Sequence, residues 1–292
     1  MWNGISHNPS LKAVDMVEVI TTGTCIQKEK LTCRTKRWRN VSIPAHCVII
    51  HHPIHGIILF DTGYAEHFYQ ASQTFPYSLY RYATPIQFQA QDSASAQLLA
   101  RGVDPKAVRY VILSHFHADH ISGIRDFPNA KFIACQFAYQ ELISLPAWRQ
   151  VKAGFLPELL PEDFTERLLP IESLPEISLS GLDPFQTGYD LLGDQTLVAI
   201  NLPGHAIGQF GLWCQTLQQS YFLCADAAWS KEAVEIQSLP HWLTYLIIDD
   251  RSALVDSFQQ LGEFQKQHPA CQLIASHCPA VWKQKVRGDE DA

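Results

Sequence analysis

The chain has no Cys-x-x-Cys pair, no G-x-G-x-x-G phosphate loop and no apolar run of the roughly 18 to 20 residues a membrane-spanning helix needs. The first absence excludes a thiolate zinc knuckle or a thioredoxin-like site. The second removes the main support for a dinucleotide-binding, doubly wound sheet. The third argues against a membrane partner. Positive charge is also scarce: 22 Lys and Arg stand against 29 Asp and Glu, a formal charge of -7. The one dense basic run, Lys28 to Arg39, is short and broken by apolar residues, so no nucleic-acid-binding face is expected. The 15 Gly and 17 Pro are scattered without period, which excludes a fibrous chain.

What is present fits a globular protein. Hydrophobic residues make up 47% of the 292 positions and charged residues 17%, enough apolar material for a sizeable core. The N-terminal MWNGISHNPSLKAVDMVEV has no basic stretch leading into an apolar one, so a secretory signal is not expected. The eight cysteines lie mostly in apolar runs such as YFLCAD and CQLIASHC, where cysteine is a small buried hydrophobe. A reduced, cytoplasmic protein is the expectation.

Apolar runs bounded by turn residues predict strands at VDMVEVITTG, HCVIIHHP, GIILFDTG, VRYVIL, KFIACQ, TLVAIN, QSYFLC and CQLIAS. Helical spacing predicts helices over Asp92 to Arg101, over FAYQELISL and over SALVDSFQQLGEFQKQ. Two stretches, 64–91 and 148–183, are rich in Pro and aromatics and lack clean periodicity. Irregular packing, a contact in a homodimer, or an apolar wall over a site would each account for them. The order of elements predicts one α/β domain over 1–292, two sheets flanked by helices.

The densest chemistry is SHFHADH, Ser114 to His120, directly after the strand VRYVIL. His115 and His117, two apart in an extended loop, share a side and can hold one ion. Asp119 and His120 follow where the chain turns and can face a second. Buried next to a strand, so many polar groups need a partner such as a metal. Three later segments also put a ligand-type residue at a strand end: His205 in LPGHAIG, Asp226 in FLCADAAW and His277 in LIASHCP. A second histidine group, His46, His51, His52 and His55, lies around HHPIH, which resembles an exposed turn more than a ligand set.

With HFHADH and these three residues in order, the chain resembles the metallo-β-lactamase superfamily of αββα metallohydrolases over about Val17 to Pro279. The resemblance implies a four-layer sandwich and two divalent ions, zinc first, with iron, manganese or cobalt suiting the same ligands. It implies that His115, His117 and His205 hold one ion, that Asp119, His120 and His277 hold the other, and that Asp226 bridges. Asp61, in the FDTG motif, would support the loops without being a ligand. Within the superfamily, VITTGTC, PAHCVIIHH…GIILFDTG and PGHAIGQ resemble lactonases that open N-acyl homoserine lactones. Those commonly have a tyrosine three residues after the bridging Asp; here Trp229 stands there, and an indole offers one N–H and no phenol.

Two adjacent cations lower the pKa of a shared water and stabilise the oxyanion formed on a carbonyl. Asp119 is expected to move the proton, and Asp226 to set the separation of the ions. The expected activity is opening of a lactone or other small carboxylic ester with an apolar portion, with Trp229, Tyr80, Tyr82 and Phe155 as candidate substrate contacts. The alternatives are a thioesterase of the glyoxalase II-like type and a non-catalytic binding protein that retains the metal site. Cys224 has a nucleophile's chemistry but a poor case, because a metal site already activates water.

Overall fold

The computed structural model describes residues 12–281. The leader reading of the first residues and the two ends of the 1–292 domain lie outside that range. A first sheet contains β1 (Met16–Lys28), β2 (Asn40–His52), β3 (Gly56–Phe60), β4 (Ile86–Gln87), β5 (Tyr110–Ile112), β6 (Lys131–Ala134) and β7 (Leu168–Pro170), in the order β4-β1-β2-β3-β5-β6-β7. A second contains β8 (Glu176–Ser178), β9 (Thr187–Asp190), β10 (Leu197–Asn201), β11 (Phe210–Gln215), β12 (Ser220–Ala225) and β13 (Gln272–Ala275), in the order β13-β12-β11-β10-β9-β8.

Strand alternation builds the layers. On β10, Leu197 and Ala199 enter the core shared with the first sheet, whereas Val198 and Ile200 enter a second core. On β12, Leu223 and Ala225 face the first core, and Phe222 and Cys224 the second. The period of two therefore sends alternate side chains to opposite faces, and both faces are covered. Helix Arg251–Gln267 covers the outer face of the second sheet with Phe258, Leu261 and Phe264, spaced three apart. Each such buried side chain contributes roughly 2 kcal/mol. With helices on the other sheet as well, including Ala94–Ala100, the fold is the αββα sandwich. Cys224 points into the outer core, away from the strand-end cluster, so it is a packing residue.

The two irregular stretches have structural roles that periodicity did not reveal. Within 64–91, β4 pairs with the edge of β1, and Tyr64, Phe68 and Tyr80 pack edge to face. Within 148–183, β7 closes one sheet and β8 opens the other, so this stretch carries the chain across the sandwich. β11, FGLWCQ, was not anticipated; every residue in it is buried.

The last helix also fixes a functional loop. Asp250 caps it by accepting from the Ser252 and Ala253 amides, and Ser257 Oγ donates to the Pro203 carbonyl at 2.8 Å. Gly204 has φ +121°, and a Cβ there would lie 2.0 Å from Leu254 N. Only glycine fits, and its contact presses the His205 loop against the helix.

Candidate metal centre

The strand ends of both sheets meet at one edge of the sandwich. β5 leads into Ser114–His120, β10 into His205, β12 into Asp226 and β13 into His277. There the structure brings two groups together: His115, His117, His205 and Asp226, and Asp119, His120 and His277. Within each, the ligand atoms lie within 4.8 Å of one another. Asp226 stands between them, with Oδ2 3.3 Å from His205 Nε2 and 3.1 Å from His277 Nε2, and Oδ1 3.5 Å from His120 Nε2. Asp119 Oδ2 is 3.3 Å from His277 Nε2.

Three of the rings, those of His115, His120 and His277, are held from behind by hydrogen bonds. His120 donates from Nδ1 to Asp61 Oδ2 at 2.8 Å, which leaves Nε2 facing inward. Ser114 Oγ donates to the same carboxylate oxygen at 2.8 Å, so its lone pair accepts from His115 Nδ1 at 2.9 Å. Asp61 Oδ1 accepts the Ser114 amide at 2.8 Å. One carboxylate thus fixes the tautomers of two histidines, directly and through a hydroxyl. Its own backbone sits at φ +59°. His277 donates from Nδ1 to the Pro44 carbonyl at 2.7 Å. His117 presents Nδ1 to His205 Nε2 at 3.0 Å. Behind it, Gly154 (φ +67°) comes so close that a Cβ there would be 2.6 Å from His117 Cδ2.

The inward atoms are the test of whether ions fit. His115 Nε2, His120 Nε2 and Asp226 Oδ1 are buried with no hydrogen-bond partner, a costly state unless a cation takes the lone pairs. Charge agrees. Burial holds His115 well below the usual imidazole value, His117 down at about 4 and His205 at about 3, so these three are neutral donors. Burial also opposes charge on His277, but Asp226 and Asp119 outweigh it and push it up to about 9. His120 is raised in the same way, with Asp61 and Asp226 overcoming burial. Without metal, the buried carboxylates hold protons on two histidines; a divalent ion supplies that positive charge instead. The donors, imidazole and carboxylate, suit zinc and its neighbours.

The remaining sequence candidates fare differently. Tyr80 stands near Asp119: burial, followed by the Asp119 charge, pushes its phenol well above the usual value. Trp229 is also present, edge-on to His205 at 5.6 Å, but its single N–H donates to Asp226 Oδ2 at 3.0 Å. The indole's one donor is therefore already used, which leaves the ring's aromatic edge as what Trp229 offers a substrate. Phe155 is fully buried against Phe116 and touches no cavity, so it is core. Tyr82 is 75% exposed and lines no cavity found among the described residues. Packing overrode both expectations, since aromatic composition says nothing about side-chain direction.

Sequence reasoning missed Ser114, Gly154 and the Pro44 carbonyl as supports. Only Gly154 carried a signal, a glycine inside an otherwise bulky run. HHPIH forms the expected turn, with Pro53 and Ile54 exposed, but one of its histidines has a role the sequence did not show. His52 is buried, accepts the Ile54 and His55 amides on Nδ1 at 3.1 Å each, and donates from Nε2 to Thr196 Oγ1 at 2.9 Å. Together with His55 and Asp194 it has the composition of a third ligand group. Two N–H donors on Nδ1 require the proton on Nε2, however, and a protonated nitrogen cannot bind a metal. His52 is a hairpin lock.

A cavity of ≈ 400 Å³ opens beside the first ligand group and has His117 and His205 in its lining. Phe116, Leu142, Leu145 and Ile207 contribute apolar wall, and Trp148 stands at the exposed side.

The pattern of the metallo-beta-lactamase superfamily matches residues 43–264. The chain belongs to that superfamily. Within it, the chain is similar to the N-acyl homoserine lactonase AttM of Rhizobium radiobacter, at 31% identity over 196 residues, 66% of this chain and 67% of AttM. AttM of Rhizobium johnstonii is 33% identical over the same shares. The fold is similar to a solved N-acyl homoserine lactone hydrolase with N-hexanoyl-L-homoserine bound at its catalytic metal centre. That match has TM-score 0.72 at 20% identity and covers 94% of this chain and 97% of the other. In this metallo-beta-lactamase chain, the two ligand groups and the bridging position of Asp226 make a dinuclear metal-binding site.

Proposed function

We propose that the protein is a lactonase-type hydrolase that opens a lactone or another small carboxylic ester bearing an apolar portion. The observation that carries this is the junction of an apolar-walled cavity with the metal centre at His117 and His205. The AttM relatives, named for N-acyl homoserine lactone opening, favour the lactone over an open ester. Two bound ions, zinc first, would supply Lewis acidity that activates water and stabilises the developing oxyanion.

The chain's own groups do the rest. Asp119, half-buried between His277 and Tyr80, takes the proton released on attack and returns it to the departing alkoxide. Asp226, held by Trp229, keeps the two ligand groups in register. The apolar wall excludes water from the acyl portion, at roughly 25 cal/mol for each Å² covered. The eight cysteines are buried and lie in no disulfide, which suits the cytoplasmic setting we favour.

The test is steady-state kinetics of the metal-loaded protein on a panel of N-acyl lactones, matched open esters, thioesters and phosphodiesters. Lactones should give the highest kcat/KM, rising with the apolar arm. Preference for thioesters would instead favour the glyoxalase II-like alternative, and no turnover of any carbonyl substrate by fully loaded protein would overturn the proposal.

A further inference from the structure

The cavity changes character along its length. Its buried part is formed by His117, His205, Phe116 and Leu142, whereas Arg149 and Lys152 are exposed at its outer side. These two cations stand three apart in the short helix Ala147–Lys152 and so share a face. The Arg149 guanidinium lies 5.0 Å from the centre of the Trp148 ring, a stacking contact that orients it without neutralising it. Among the described residues, neither cation has a carboxylate within 4.0 Å. Asp249, on the same cavity, is not within that distance of either. In a chain of formal charge -7, two unpaired cations at the mouth of the substrate cavity are a local inversion of charge.

Resting on the lactone or ester reading above, we infer that the substrate is an acyl compound whose apolar arm ends in a carboxylate. The scissile carbonyl sits at the metal centre, the apolar arm lies along Leu142 and Leu145, and the distal carboxylate meets Arg149 and Lys152. Arg149 offers the planar fork that a carboxylate accepts in pairs, and Lys152 adds a point charge one turn away. Asp249 opposes such a substrate and therefore tempers the selection.

Two measurements test this with the metal-loaded protein. The first compares kcat/KM for lactones with acyl arms of equal length ending in methyl or carboxylate. The wild type should favour the carboxylate by roughly twofold to fivefold, the scale of an exposed ion pair. The preference should shrink as salt is raised. It should vanish in Arg149→Gln/Lys152→Gln with the methyl-ended substrate unaffected, and grow in Asp249→Asn. The second is calorimetric binding of decanedioate and decanoate, which needs no turnover. The diacid should bind tighter to the wild type and equally with the monoacid to the double variant. Equal binding of the two acids by wild-type protein, or a diacid preference that survives the double substitution, would overturn the inference. If no lactone is opened while the diacid preference holds, the reaction reading has failed and the anion site stands.

Discussion

Two groups of histidines, one at the strand-end cluster and one along β2 and its hairpin with β3, are treated by the protein in opposite ways. At the strand-end cluster, second partners such as Asp61, Ser114 and Pro44 occupy the outer ring nitrogens, and inner atoms on His115 and His120 are left bare. Along β2 and into its hairpin the protein supplies partners itself: His46, in mid-strand, has Thr21 and the Cys278 carbonyl, His51 has Glu18 on Nε2, and His52, at the turn, has two amides and Thr196. Histidine density is similar in the two. What differs is whether burial leaves lone pairs without a partner, and that marks the metal site.

The contrast is broken most severely at Asp226. Asp226→Ala should remove the group shared by both ligand sets. Metal analysis should find clearly fewer than two ions per chain, and turnover should fall by more than about 100-fold, beyond the loss expected for outer partners alone. Next in size is Asp61→Asn, which frees two rings at once; titration against a competing chelator should show metal affinity weaker by roughly 10- to 100-fold. Trp229→Phe keeps the ring but loses the N–H on Asp226. Roughly a tenfold weakening is expected from one hydrogen bond to a charged group, with the fold intact by circular dichroism.

The smallest effect on metal binding is expected in the other group. His52→Gln should leave ion content and activity unchanged while lowering unfolding free energy by about 1 to 3 kcal/mol, read by urea denaturation. Burial depresses the His52 pKa below the ordinary imidazole value of about 6.5. Its neutral form is therefore the folded form, and its contribution is present above about pH 6.5 and lost as pH falls through the lower, folded value. Wild-type stability should decline with acid in that window more steeply than that of His52→Gln. Identical slopes would remove His52 from the account.

The uneven legibility of the sequence follows from the same physics. Central strands such as β3 and β5 announce themselves as apolar runs because both faces are buried. β7, β8 and β9 have four residues or fewer and are held by pairing, which the local sequence does not encode. HFHADH was readable because its residues are neighbours. His205, Asp226 and His277 gained weight only together, from their shared placement at strand ends and from the family resemblance, since each alone is an ordinary strand end. The direction of a side chain was not readable: Phe155 and Tyr82 have the same composition signal and lie in the core and in solvent. Nor was the His52 lock, whose partner Thr196 lies 144 positions away.

The most direct test is anomalous diffraction, at the absorption edge of the metal, from crystals of metal-loaded protein. The account predicts two peaks, one among His115, His117 and His205 and one among Asp119, His120 and His277, with Asp226 between them and no peak at His52, His55 and Asp194. A single peak in the strand-end cluster, or a peak at the hairpin, would contradict it.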